Sequence, residues 1–181
     1  MPLQISKEEL QKVLVECKLA AYAGGGENSY RDVGRGIKLF TKTLSFPDSN
    51  HSWTFYDEFS GDVYFSGREL FTYSENTKKE TGVWSMVYRA EILYPELDHR
   101  KIFDFLRESL KAIPVDAPFR GPGAFKSELF PQYEYRNEHL GATDIKSGFG
   151  MEKIFYKGEQ SYFGIWSGGL ILDNFGDIRL Y

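Results

Sequence analysis

The chain states one strand pattern twice. Gly67-Arg68-Glu69-Leu70-Phe71-Thr72-Tyr73, a turn and Trp84-Ser85-Met86-Val87-Tyr88-Arg89-Ala90-Glu91-Ile92 are echoed downstream. The echo is Gly150-Met151-Glu152-Lys153-Ile154-Phe155-Tyr156, a shorter turn and Tyr162-Phe163-Gly164-Ile165-Trp166-Ser167-Gly168-Gly169-Leu170. Glycine, glutamate, an apolar residue and tyrosine recur at matching offsets in the first strand. An aromatic, apolar, aromatic sequence recurs in the second. Period-two patterning of this kind demands extended chain with one face buried. Duplication is the simplest account, and it predicts a single compact domain, 1–181, made of a pseudo-repeat at about 6–94 and another at about 98–172. Related halves meet at an axis, and a shared site is expected there.

With 41% hydrophobic and 17% aromatic residues in 181, the chain carries enough apolar surface to fold without covalent staples. A net charge of -4 gives it no general attraction for phosphate polymers, so nucleic-acid binding through this chain is not expected. Arg31, Arg35, Lys38 and Lys42 make a modest basic stripe, read as a solvated strand edge that discourages stray pairing. The single cysteine, Cys17, falls on a helical apolar face and reads as a small buried hydrophobe. Neither an intrachain disulfide nor an apolar leader segment is indicated, and the expected compartment is the cytoplasm. The most apolar stretch, Tyr162 to Leu172, is too short and glycine-broken to cross a bilayer, so no membrane partner is expected.

Two helices are marked by their ends. Ser6 and Glu9 have capping-box spacing, Leu10, Val13, Leu14, Cys17 and Ala21 form one apolar face, and Gly24-Gly25-Gly26 follows as a stop. The second helix starts near Asp98, turns Ile102, Phe105, Leu106, Leu110 and Ile113 inward, and ends before Pro114. Between them lie extended runs at Gly36–Phe46, Trp53–Phe59, Asp62–Tyr73 and Val83–Tyr94, broken at Pro47-Asp48-Ser49-Asn50, Ser60-Gly61 and Ser74-Glu75-Asn76. Further runs follow around Gln132–His139, Lys146–Tyr156 and Ser161–Leu172, with a tight hairpin at Lys157-Gly158-Glu159. The resulting expectation is the α+β class: an internally duplicated helix plus antiparallel meander, in two pseudo-equivalent halves sharing one core.

Several runs resemble a bacterial and archaeal family known only as a domain of unknown function, found alone or behind a Cro-repressor-type helix-turn-helix. They are Tyr22-Ala23-Gly24-Gly25-Gly26-Glu27, Tyr56-Asp57 with Gly61, Phe65-Ser66-Gly67-Arg68-Glu69, Trp84-Ser85-Met86-Val87-Tyr88 and Pro118-Phe119-Arg120-Gly121-Pro122. The resemblance implies a stand-alone version of that domain and supplies no activity. Where the family usually has glycine after the second-strand tyrosine, this chain has Arg89-Ala90.

The chemistry-bearing candidates are few. Glu69 and Glu152 hold equivalent repeat positions; if they converge in an aromatic cavity, burial raises at least one pKa, and the pair anchors a ligand or acts as acid and base. Arg120, stiffened by Pro118, Gly121, Pro122 and Gly123, is suited either to clamping an anion or to pairing with one of those glutamates. Trp53, Trp84, Tyr88, Tyr133, Tyr135 and Trp166 supply either pocket walls or core pairs. The ligand-binding set is therefore Glu69, Trp84, Tyr88, Arg120, Tyr133, Glu152 and Trp166. The glycine run follows a helix and lacks the lysine and hydroxyl of a phosphate loop, so it reads as a helix end. His51, His99 and His139 have no partners at metal-ligand spacing, and neither a metal nor a cofactor is expected. No Gly-x-Ser-x-Gly occurs. The leading expectation is a noncatalytic small-molecule-binding or sensory domain. A hydrolase or isomerase using the glutamate pair, and a protein-interaction module, are the alternatives. A small-molecule ligand and a second copy of the chain are the partners this pattern admits.

Overall fold

The computed structural model describes residues 3–24, 30–46, 50–75, 79–141, 144–171 and 178–180. Helix α1 (Lys7–Ala20) is capped by Ser6, whose Oγ accepts the Glu9 N–H at 3.3 Å. The reciprocal arm of the expected box is replaced: Glu9 Oε1 instead accepts the Trp53 indole N–H at 2.7 Å and lies 2.7 Å from the His51 ring nitrogen. The helix ends at Ala20, and a 3-10 turn, Tyr22–Gly24, carries the chain off it. Gly25, Gly26 and Glu27 lie outside the described residues, as do the expected turn residues Pro47-Asp48-Ser49 and Asn76. Helix α2 (His99–Lys111) is capped by the Asp98 carboxylate, which accepts the Arg100 N–H.

The strands are β1 (Leu3–Ile5), β2 (Arg31–Asp32), β3 (Ile37–Phe46), β4 (His51–Gly61), β5 (Tyr64–Glu75), β6 (Thr81–Ile92), β7 (Ala124–Phe125), β8 (Tyr133–His139), β9 (Ser147–Tyr156), β10 (Glu159–Leu170) and β11 (Ile178–Leu180). Strands β1 and β11 form a small parallel pair. The others build one nine-stranded sheet in the order β2-β3-β4-β5-β6-β10-β9-β8-β7, antiparallel throughout.

This corrects the expected α+β architecture of two helix-plus-meander halves. The molecule is mainly β, with one continuous sheet and two helices of 14 and 13 residues on a single face. The reason is the β6·β10 ladder, running from Tyr162↔Ile92 to Leu170↔Trp84. Each meander would otherwise end in an unpaired strand, and joining the two edges satisfies both rows of backbone groups. The helices share a face because of strand alternation on β6. Trp84 and Met86 join α1 in a core with Phe40, Trp53, Phe55 and Phe71. Ala90 and Ile92, on the same side of that strand, join α2 with Tyr135, Ile154 and Tyr162. The opposite face carries Val87, Phe149 and Ile165 exposed, opposite Arg68, Ser167 and Arg89 across the ladders.

Across the β6·β10 seam the two sequence echoes occupy matching places. Tyr88 is paired with Trp166 at the centre. Gly67 lies opposite Tyr88 as Gly150 lies opposite Trp166, and a Cβ on either glycine would collide with that ring. The absent side chain therefore lets an aromatic ring lie across the neighbouring strand. Each ring reaches a polar residue one strand further out: Tyr88 Oη donates to Asp57 Oδ1 at 3.0 Å, and Trp166 Nε1 donates to Asn137 Oδ1 at 3.0 Å. Asp57 is in turn the cross-strand partner of Glu69, as Asn137 is of Glu152.

Candidate functional site

Alternation on β4 sends Trp53, Phe55, Asp57 and Phe59 toward the helices, which sets one carboxylate within an aromatic row. Glu69 on β5 and Tyr88 on β6 share that face. From above, α1 contributes Lys18, one turn beyond Leu14 on its buried side, and the loop after α2 contributes Arg120. Tyr30, just before β2, donates to Asp57 Oδ2.

These groups surround a cavity of about 530 Å³ between the helices and strands β3–β6. Its walls are apolar: Phe55, Phe59, Phe65, Phe103, Leu106, Leu110, Ile113 and Phe119. At its outer end are the exposed Lys38, Gly61 and Asp62; its inner end is formed by Lys18, Tyr30, Asp57, Glu69, Tyr88 and Arg120. A concave site with aromatic and aliphatic walls and convergent polar groups is the usual form of a small-molecule site.

Three carboxylates are buried on this face, and each is held differently. Glu152 is 2% exposed and saturated. It accepts Arg120 Nε at 3.1 Å and Nη2 at 2.7 Å, Tyr135 Oη at 3.0 Å and Tyr162 Oη at 2.7 Å. Burial is the largest single influence and works against the Arg120 charge, but Glu152 together with Tyr162 and Tyr135 outweighs it and raises the guanidinium pKa well above its ordinary value. Burial raises the Tyr135 and Tyr162 phenols, and the Glu152 charge adds to this. The second carboxylate, Glu69, forms an ion pair with Lys18, whose Nζ also donates to the Phe119 carbonyl at 2.9 Å and lies 5.0 Å from the Trp84 ring centroid. Burial lowers the Lys18 pKa, with Glu69 opposing.

Asp57 is the third, and it has no cation within 4 Å among the described residues; its hydrogen bonds come from two phenols, Tyr30 and Tyr88. Burial and then the neighbouring Glu69 charge raise its pKa to about 7, against the pull of the two phenols and Lys18. Burial likewise raises Tyr30 and Tyr88, with the Asp57 charge next in importance. A carboxyl at this value changes charge near neutrality, which an ordinary aspartate does not.

Of the residues singled out from the sequence, the structure brings Glu69, Tyr88 and Arg120 to the cavity. Glu152 does not line it and serves as the anchor of Arg120. Trp84 and Trp166 are core residues, the first donating to the Ile145 carbonyl at 3.1 Å and the second stacked on Phe119 with centroids 5.0 Å apart. Tyr133 packs against Phe105 and Tyr156, 5.3 and 4.9 Å away. Cys17 is buried, and burial pushes its thiol up to about 12, far from nucleophilic use. Among the described residues no three His, Cys, Asp or Glu side chains group as metal ligands, and no helix is long and apolar enough to cross a membrane.

Sequence reasoning missed Asp57, Lys18 and Tyr30. Two had a signal: Asp57 interrupts the inward row Trp53, Phe55, Phe59, and Lys18 falls between Leu14 and Ala21 on the apolar face of α1. Tyr30 has none, because its partner is 27 residues away.

Fold and site together define a class: a single antiparallel sheet roofed on one face by two helices, with a polar-floored cleft between them. A family model for a domain of unknown function, DUF5680, matches residues 57–171, and the chain belongs to that family. The matched segment contains Asp57, Glu69, Tyr88, Arg120 and Glu152. No curated protein and no solved structure matches the chain.

Proposed function

We propose that this protein is a noncatalytic small-molecule-binding module, with the cavity under α1 and α2 as its site. The observation that carries this reading is the convergence of Lys18, Asp57, Glu69 and Arg120, each at most 7% exposed, on a cavity of about 530 Å³ whose other walls are mostly aromatic and aliphatic. Charged groups are costly to bury, and their placement facing a cavity is worth that cost where a ligand uses them. A sensory role is in keeping with the resemblance to domains carried behind helix-turn-helix segments. The matching pairs Gly67/Tyr88 and Gly150/Trp166 support descent of the two strand sets from one duplicated unit. A lone cysteine buried in the core suits a cytoplasmic protein. Thermal-shift screening against chemically varied small molecules tests the proposal, since a ligand of the folded form raises the melting temperature. A screen without a single shift, in a protein that melts cooperatively, contradicts it.

A second reading, acid–base catalysis, is favoured by one observation: Asp57 stands next to Glu69 across the β4·β5 ladder with a pKa near 7. On this reading Asp57, rather than a Glu69–Glu152 pair, is the acid or base, because every strong donor around Glu152 is already committed to it. Turnover with a bell or step in its pH profile near 7, lost in Asp57→Asn, distinguishes catalysis from binding alone.

A further inference from the structure

We infer that the cavity takes an organic ammonium ion, an amine carried on an apolar body, with the Asp57 carboxylate as its counterion. This rests on the ligand-binding reading and names the ligand class.

Charge pairing gives the sign. Glu152 is matched by Arg120 and Glu69 by Lys18, so both buried cations on the cavity wall are already neutralised. Asp57, 5% exposed, is the buried carboxylate left without a cation within 4 Å among the described residues. A buried charge without a countercharge is strongly disfavoured, and an incoming cation removes that penalty. Each Asp57 oxygen accepts one phenolic hydrogen, and a carboxylate has room for about four donors, so sites remain for an ammonium N–H.

The surrounding rings point the same way. Tyr30 and Phe59 are 5.2 Å apart edge to face, Phe65 and Tyr88 are 6.4 Å apart, and all four line the cavity around Asp57. Aromatic faces attract cations, and more strongly away from water; Lys38 lies over Phe59 and Arg120 over Tyr88, 5.7 and 5.3 Å from the ring centroids, which leaves Tyr30 and Phe65 of these four for a ligand cation. At the inner end a ligand carboxylate would meet Asp57 and Glu69 with both buried cations already paired; Lys38, the lining cation without an ion pair among the described residues, is exposed at the outer end over Phe59. Arg120 Nη1, which makes no hydrogen bond among the described residues, offers a donor to a polar acceptor elsewhere on the amine.

Asp57 is faced by Tyr30 before β2, Glu69 on β5, Tyr88 on β6, Lys18 on α1 and Arg120 after α2. Since only the ionised carboxylate serves as counterion, ammonium affinity should climb with pH and level off above about 7.

The experiment is calorimetric titration of three near-isosteres, 2-phenylethylammonium, 2-phenylethanol and 3-phenylpropionate, between pH 5.5 and 8. The ammonium should bind best, with affinity rising at least about tenfold over that range, as follows from a group with a pKa near 7. Asp57→Asn should erase the preference for ammonium over alcohol. Tyr30→Phe removes a donor that favours the ionised form, and should move the midpoint of the pH dependence upward even if the Asn variant does not fold. Binding of the alcohol or the carboxylate equal to or tighter than that of the ammonium overturns the ammonium inference and leaves a ligand cavity standing. Failure of all three to bind overturns it and counts against the ligand-binding reading as well.

Discussion

At the residue scale, Asp57 and Glu152 show how neighbours decide what a buried carboxylate does. Glu152, given a bidentate arginine and two phenols, is a fixed joint between sheet and loop. Removing its partner by Arg120→Ala leaves the charge uncompensated and should cost about 3–5 kcal/mol in urea unfolding; a loss below about 1 kcal/mol would show that the joint is not structural. Asp57 instead titrates. Its folded pKa, about 7, lies above the ordinary 3.8, so the folded form binds the proton more tightly. Its contribution is full below about pH 4 and is lost as pH rises through 7. The stability of wild type relative to Asp57→Asn should therefore fall between about pH 4 and pH 7 and level off above that in parallel denaturation series, and a flat difference would contradict the assignment. Glu69, Tyr88 and Arg120 were legible from the repeat and the rigid loop. The roles of Asp57 and Tyr30 were not, because they arise from contacts between β4, β6 and a segment far away in sequence.

At the element scale, the Gly-x-Glu strands explain themselves by close approach. Gly67→Ala should force Tyr88 off its path to Asp57, and Gly150→Ala should displace Trp166 from Asn137, each costing about 1–3 kcal/mol. Gly123→Ala, where the nearest atom to a new Cβ is 3.9 Å away, should change stability by less than about 0.5 kcal/mol. Equal losses at all three sites would mean that the close approach of the rings does not govern these glycines. Helix ends and strand positions could be read locally: Ser6 caps α1 as expected, α2 starts at Asp98 where a start was expected, and the alternation located every long strand. The joining of β6 to β10 could not be read that way. Its pairs lie some seventy or more residues apart, as in Tyr162↔Ile92, and an edge strand looks the same in sequence whichever edge it meets.

At the scale of the whole molecule, one sheet connects both helical cores, α1 over Trp84 and α2 over Ile92 on the same strand. Unfolding should then be a single cooperative transition, with calorimetric and van't Hoff enthalpies in agreement; two separated transitions would show that the halves are independent units. The cavity lies where the two helices and the sheet come together, and neither core alone encloses it: α1 supplies Lys18, α2 supplies Phe103 and Leu106, and the sheet supplies Asp57, Glu69 and Tyr88. The most direct test of this account is a comparative thermal-shift screen of wild type and Leu106→Trp, a substitution that fills the cavity from α2. Small molecules, amines foremost, should raise the melting temperature of the wild type and lose that effect in a Leu106→Trp protein that still melts cooperatively. Shifts of equal size in both proteins would place binding elsewhere and contradict the cavity as the site.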